Sequence, residues 1–451
     1  MDSGTGIGGL SLGQDEVLSS VFDLFSSVEV ENSVRIAHEN IYHPVTQSSS
    51  RGPYKFEIPA DPIKFTDIQT MRLMGAMRLR KKAQDNTFSD FQDNDVVSTV
   101  NTYFQSLWAA INIKLNGTDI TDPTAKWYAY KAHIETLLSY SKTCKDTILG
   151  SRGFYADTAD KFDDVGLNAA SLNKGFKTRA GIFSESKWNY FCINIHSDLS
   201  TLRRVLPPNI KIEVECIRND DAFTVMTKEA DGSVAIELKE LKLKVKRYTA
   251  SQKIETFYSQ KITRGLKPIL PIDRSLIKTY TIQPGTNNLS HYNLITGGQL
   301  PDQVIIGMVT ETAHTGHYQK NPFNFQHFNL KEASLVVNGV HEPENKYQLD
   351  INNRNVVTLY QDFLENIGIS TDDREIGISG TEYYGGNFLL AFDRTKDKCN
   401  RFHRHSTDSG SIDINLRSST NLTETITVIV YATYSSDLII EEGNKVVTAI
   451  F

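Results

Sequence analysis

Four cysteines in 451 residues, Cys144, Cys192, Cys216 and Cys399, stand far apart and form no CxxC pair. Cys192 and Cys216 fall in apolar, strand-like runs, where a free thiol behaves as a small buried hydrophobe. A reducing compartment, cytosol or nucleus, is expected. No secretory signal is visible, and no apolar run approaches the ~20 residues that span a bilayer. The sequon-like Asn116-Gly-Thr and Asn421-Leu-Thr are therefore expected to stay unmodified. Positive charge is also scarce: 48 Lys and Arg against 54 Asp and Glu leave a net charge of −6. A protein that neutralises DNA needs a basic surface, because counterion release supplies most of its affinity. Nucleic acid is thus disfavoured as the main partner, although a local basic strip can still meet it. With 28 glycines and 13 prolines the chain is neither fibrous nor disordered in composition.

What is present points to β structure. Hydrophobic residues make up 39% and aromatics 10%, with 19 Tyr and 22 Phe, a bias that suits strands. The length predicts two domains of about 200 residues each. Residues 1–12 are glycine-rich. From 14 to 28 the apolar positions Val17, Leu18, Val21, Phe22, Leu24, Phe25 and Val28 follow a helical period, a short arm with one sticky face. After that the period becomes two. Tyr54, Phe56 and Ile58 alternate with Lys55 and Glu57. Met71, Leu73, Met77 and Leu79 share a face opposite Arg72, Arg78 and Arg80. Strands are also expected at 110–115, 189–195, 210–217 and 241–248, and then at 304–309, 333–337, 388–392, 411–416 and 425–434. The stretch 261–275, with Pro268 and Pro271, reads as linker.

Each half carries a strand that ends in Asn-Gly, a preferred hairpin turn, followed by a tyrosine opening a helical pattern. In the first half this is Asn116-Gly117, then Tyr130 with Ile134, Leu137 and Leu138. In the second it is Asn338-Gly339, then Tyr360 with Phe363, Leu364 and Ile367. The same order twice is what a duplicated domain leaves behind.

No group of residues assembles a catalytic site. Gly4-Thr-Gly6-Ile-Gly8-Gly9 satisfies GxGxxG, but a dinucleotide fingerprint requires a preceding strand, and only three residues lie upstream. Cys399, His403 and His405 form a tempting metal cluster, yet no second ligand pair is evident and Arg401 and Arg404 repel a cation. Glu311, His314 and His317 lack a nucleophile, and Gly316 between the histidines marks a turn. Two basic strips, 78–82 and 239–247, remain. Alternation puts Lys242, Lys244 and Lys246 on one face and Leu241, Leu243 and Val245 on the other. Such faces are solvated, protect a sheet edge, meet DNA or pair with a neighbouring subunit.

The chain resembles, over residues 20 to 445, the hexon-like major capsid proteins of Maverick/Polinton elements and adintoviruses. The resemblance rests on motifs in one order. They are Phe22-Asp-Leu-Phe25; Tyr54-Lys-Phe-Glu-Ile-Pro59; Leu115-Asn-Gly117 with Tyr128-x-Tyr130-x-Ala132-x-x-Glu135-Thr-Leu-Leu138-Ser-Tyr140; His196-Ser-Asp-Leu199; and Ile217-Arg-Asn-Asp-Asp-Ala-Phe223. In the second half come Gly298-Gln-Leu-Pro301 with Val304-Ile-Ile-Gly-Met-Val309, Asn321-Pro-Phe-Asn-Phe325, Gly386-Asn-Phe388 with Ala391-Phe-Asp393, and Thr427-Val-Ile-Val-Tyr-Ala432. The His- and Arg-rich 401–409 and Thr312-Ala-His-Thr-Gly-His317 depart from the family's pattern.

The resemblance implies an all-β fold of two tandem jelly-roll sandwiches, a double jelly roll with short helices in its loops. It implies an arm at 1–30, a first jelly roll at 31–250, a linker at 251–270 and a second jelly roll at 271–451. It further implies a structural subunit rather than an enzyme, with no catalytic, cofactor or metal residues. Three chains are expected to form a pseudo-hexameric homotrimeric capsomer of an icosahedral shell in the virion, assembled in the host nucleus or cytoplasm. A penton or minor capsid protein is the further partner, with no specific nucleic acid and no membrane span. The alternatives are a jelly-roll carbohydrate- or receptor-binding module, and a cupin-type enzyme with inward His and Glu ligands.

Overall fold

In a computed structural model of the chain the described residues are 31–47, 52–122, 126–167, 171–230, 232–351, 357–369, 375–398, 406–441, 443 and 445–448. The first half supplies β1 (Val34–Tyr42), β2 (Tyr54–Ile58), β3 (Lys64–Lys82), β4 (Trp108–Leu115), β5 (Thr118–Asp119), β6 (Asn189–Asn194), β7 (Ile212–Arg218) and β8 (Val234–Ala250). The second supplies β9 (Ile269–Ile282), β10 (His291–Gln299), β11 (Gln303–Thr310), β12 (Leu330–Val337), β13 (Val340–Gln348), β14 (Leu389–Asp393), β15 (Ser409–Ser418) and β16 (Ile426–Ile440). Helices α1 (Tyr128–Ser139), α2 (Lys174–Phe183), α3 (Gln252–Thr263) and α4 (Val357–Asn366) sit in the connections.

The sheets run β1-β8-β3-β6 and β2-β7-β4-β5 in the first half, then β9-β16-β11-β14 and β10-β15-β12-β13 in the second. Adding eight to each strand number of the first half gives the second. Every pairing within these sheets is antiparallel. This strand order is that of an eight-stranded jelly roll, two sheets facing across one core. In the first roll Leu73 and Val245 from one sheet meet Ile113 and Val214 from the other. In the second, Val304 and Val430 meet Leu335 and Ile414.

The duplication reaches single atoms. Both Asn-Gly turns join the fourth and fifth strands of their roll, with Asn116 and Asn338 at φ 47° and 50° and Gly117 and Gly339 at 83° and 84°, the left-handed pair of a tight hairpin. Asn116 N donates to Lys211 O at 2.9 Å and its Oδ1 accepts from Lys211 N at 2.7 Å. Asn338 makes the same two bonds to Ser411, at 3.0 and 2.9 Å. Each asparagine thus ties its turn to the residue before an isoleucine of the neighbouring strand, Ile212 or Ile412. Replacing either asparagine by alanine is expected to cost about 1–2 kcal/mol, from left-handed strain and a lost bond. Glycine at the same position should recover the backbone share alone, and urea unfolding of the three forms measures both parts.

The expected strands are all present, with shifted ends. β16 continues to Ile440 rather than stopping at Tyr434, and β9 begins at Ile269, inside the stretch read as linker. Pro271 lies within β9 opposite Asp437; β9 is an edge strand, where a missing N–H is tolerated. The ends of this pair, Leu270, Ile272, Leu438 and Ile440, enter the core of the first roll. Residues 252–263 of the expected linker form α3. Cys216 is fully buried, whereas Cys192 is half-exposed on the outer face of β6. No helix of the described residues is long and apolar enough to cross a membrane. The N-terminal arm and the glycines at 4–9 lie outside the described residues, as do Cys399, His403 and His405.

Candidate functional site

The densest chemistry lies where the two rolls meet, and α1 organises it. Its sequence Tyr128-Ala-Tyr-Lys-Ala-His-Ile-Glu buries side chains nearly all round, as befits a helix enclosed between layers. On one flank, Lys131 Nζ reaches Asp198 at 2.5 Å and Glu135 at 3.8 Å, and Glu135 holds His196 Nδ1 at 2.6 Å. The second roll closes this group: Tyr431 on β16 donates to Glu135 at 3.0 Å, and Ser275 on β9 gives its N–H and hydroxyl to Asp198 at 3.2 and 2.7 Å. Burial works against the Lys131 charge, but Asp198 and Glu135 outweigh it and raise its pKa. Burial likewise pushes Glu135 up, and Lys131, His196 and Tyr431 bring it below its ordinary value. Both groups stay charged at neutral pH.

On its other flank α1 carries an aromatic seam. The His133 ring stacks on Phe323 with centroids 4.0 Å apart and planes 3° from parallel. Tyr130 meets Phe223 and Phe323 edge-on and lies flat on His314. Burial holds the His133 imidazole down at about 3, with Lys145 and Arg179 adding to the shift. The ring is therefore neutral, and it shares a hydrogen bond of 3.1 Å with the Thr102 hydroxyl.

A third contact is an ion pair with no solvent access. The side chains of Arg179 on α2 and Asp157 are 0% exposed and 2.6 Å apart. The guanidinium also donates to Thr99 O and Tyr155 O at 2.7 and 2.5 Å. The second carboxylate oxygen accepts from Asn321 of the second roll at 3.1 Å, while Asn321 N donates to Asp163 at 2.7 Å. Nearby, Phe162 lies where a Cβ on Gly386 would come within 2.3 Å of it. With φ at +130°, that position suits glycine alone. Finally, buried Lys145, brought down to about 8 by desolvation, donates to Leu137 O at 2.6 Å and Ile376 O at 2.5 Å.

The motifs behind the family resemblance, scattered in sequence, thus converge here: Tyr128 to Glu135, His196 to Leu199, Phe223, Asn321 to Phe325, Gly386 and Tyr431. Lys131, Glu135 and Arg179 are paired within the first roll and their partners are met by the second, while Lys145 is held by carbonyl oxygens alone. An open cleft of about 770 Å³ reaches Glu135, His196 and Tyr431. The arrangement joins the two rolls through hydrogen bonds and stacked rings.

The other sequence candidates are separated or neutralised. Glu311 is bonded to the Thr427 hydroxyl. His314 is packed between Trp127 and Tyr130, and His317 accepts from Gln319 N at 3.1 Å. Gly316, φ 98°, ends the helical turn between the histidines against Phe223 N. The basic strips meet carboxylates of their own chain. Arg78 pairs with Glu237 at 2.7 Å, Arg80 with Asp90 at 3.0 Å and Lys244 with Glu39 at 2.6 Å. A bulge at Glu240, φ 54°, changes the strand's parity. Arg247 lies on the buried face with Leu241, Leu243 and Val245, as alternation puts it, and bonds Pro59 O at 3.0 Å. Among the described residues no three His, Cys, Asp or Glu side chains gather closely enough to hold a metal.

Sequence reasoning missed Arg179, Asp157 and Lys145. One signal was available: Arg179 stands on the apolar stripe of α2, with Phe176, Ala180 and Phe183. A charge in that position is buried, and a buried charge requires a partner.

No protein-family model matches this chain, and no curated protein matches it in sequence. In three dimensions it is similar to the Faustovirus major capsid protein, with TM-score 0.58, 8% identity, and 94% of this chain and 93% of that one covered. It is similar to a chain of the Sputnik virophage solved by cryo-EM, with TM-score 0.57, 12% identity, and coverage of 97% and 93%. The mavirus major capsid protein follows at TM-score 0.52, 10% identity, and coverage of 98% and 97%. Identities this low speak for the fold alone. That fold is the double jelly roll, and the likeness covers both sandwiches.

Proposed function

We propose that this chain is a major capsid protein whose work is to be a rigid building block of a viral shell. The observation that carries the reading is the junction: two sandwiches of one strand order, joined by hydrogen bonds from the second roll to buried ion pairs of the first and by stacked rings. They match capsid proteins over more than nine-tenths of both chains. A block with a fixed angle between its halves presents the same lateral walls in every copy, and closed symmetric association requires that repeatability.

In this reading the rolls occupy about 31–250 and 271–451 and the arm 1–30. Three chains form a pseudo-hexameric capsomer, each interface burying on the order of 2,000 Å² or more. Capsomers then tile an icosahedral shell, closed by a penton or minor capsid protein, in the host nucleus or cytoplasm. The motifs of the sequence support a kinship with Maverick/Polinton elements and adintoviruses. Light scattering coupled to size exclusion is expected to give the mass of three chains, unchanged on dilution. The mass of one chain would end the capsomer reading and favour a binding module.

A further inference from the structure

The two sandwiches carry the same sheet with opposite chemistry on its outer face. In the second roll that face presents Ile305, Ile429 and Tyr431, all buried, and the first roll lies over them. In the first roll, β8, β3 and β6 present Lys239, Lys242, Lys244, Lys246, Arg72 and Tyr190. This face stays open among the described residues. Arg72 is exposed, Tyr190 is 61% exposed, and the Lys246 side chain is 43% exposed. Five cations share it with three carboxylates, Glu39, Asp67 and Glu240. Glu39 serves both Lys244 at 2.6 Å and Lys246 at 3.9 Å, and Lys242 comes no nearer than 3.9 Å to Glu240.

The duplication identifies the cover. In the first roll the connection between the fifth and sixth strands carries α1, which reaches the neighbouring sheet face through Glu135 and Tyr431. The same connection of the second roll carries α4. This helix buries Leu359 and Phe363 in its own roll and leaves Val357, Gln361 and Glu365 exposed. Its charge has one sign. Residues 357–369 and 375–386 hold Asp362, Glu365, Glu375 and Glu382 and no Lys or Arg. Each chain thus offers one open cationic sheet face and one acidic helical connection. Two different, complementary patches associate head to tail, which closes into a ring and does not make a two-fold dimer.

We propose that the α4 connection of one copy docks on the Arg72, Lys242 and Lys244 face of the next, repeating between copies the contact that α1 makes within the chain, with charge in place of apolar burial. The closure of three copies rests on the capsomer reading; the ionic hold follows from these two surfaces. Facing charges of opposite sign fix register and reject wrong partners. Salt screens exposed pairs, so association between copies weakens with ionic strength while the internal junction does not.

Light scattering of the full chain over a dilution series tests this. Lys242→Glu/Lys244→Glu is expected to raise the concentration of half-dissociation about a hundredfold, with the circular dichroism of the folded chain retained. Glu365→Lys/Glu375→Lys should do the same, and the four changes together should restore the parent's value. A parent that stays a single chain ends the capsomer reading and this inference with it. A three-chain parent indifferent to both reversals overturns the inference alone, as does failure of the combined variant to recover. Variants that keep three chains but lose a short DNA duplex bound by the parent would assign the face to nucleic acid and likewise overturn it.

Discussion

Replacing Arg179 by leucine is expected to lower stability by about 3–5 kcal/mol, read as the shift in urea midpoint near neutral pH. The substitution strands the Asp157 carboxylate, which is 0% exposed, and leaves Thr99 O and Tyr155 O without their donor. A buried carboxylate without a cation is far more costly than the pair was favourable, because desolvation remains and the attraction is gone. A second variant, Arg179→Leu/Asp157→Leu, separates the two effects. It should regain part of the loss, since an apolar pair of similar volume often replaces an ion pair with little change. Recovery stays incomplete because Asn321 loses its acceptor. A single variant within about 0.5 kcal/mol of the parent would show that the junction does not rest on this pair.

Acidification is expected to weaken the fold through His133 before any carboxylate titrates. The folded state holds this imidazole at about 3, while the unfolded chain binds its proton near 6.5. Between those values the unfolded state carries one more proton than the folded state, so stability falls as pH drops below about 6.5. At ~1.4 kcal/mol per unit, His133 alone accounts for about 2 kcal/mol by pH 5. His314 and His327, also lowered by burial, act in the same direction. The charges acting on His133, Lys145 and Arg179, are both cations and add to the loss. His133→Phe keeps a ring against Phe323 and removes the titrating group. Its stability should decline less steeply between pH 7 and 5 than that of the parent, by about the same 2 kcal/mol. Parallel curves for the two proteins would refute the assignment.

Both effects arise at the junction, where α1, α2 and the connections of the first roll cover the outer face of the second roll's β9-β16-β11-β14 sheet, with α4 of that roll over the edge strand β14. That cover explains why β11, β14 and the first half of β16 are buried on both faces. Their sequences, such as Val304-Ile-Ile-Gly-Met-Val309, are continuously apolar, as doubly covered strands are. Loosening the junction should therefore alter the relation of the rolls before it unravels either sandwich.

By itself the sequence determined the interior of each sandwich. Strands β3, β7, β8, β12 and β15 announce themselves by alternation, because one face meets the core and one does not, and the paired Asn-Gly turns disclosed the duplication. Only the tertiary structure decided the rest. β1, β10 and β13 are edge strands: half their backbone is unpaired, their faces are partly solvated, and their alternation is correspondingly weak. The partners of buried charges were equally hidden. Arg179 and Asn321, or Glu135 and Tyr431, are far apart along the chain, and periodicity reports only which way a side chain points, not what it meets. The Glu240 bulge was hidden as well: even-numbered Val234 and Ile236 are buried before it and odd-numbered Leu241 to Arg247 after it, since a single extra residue inverts every later one.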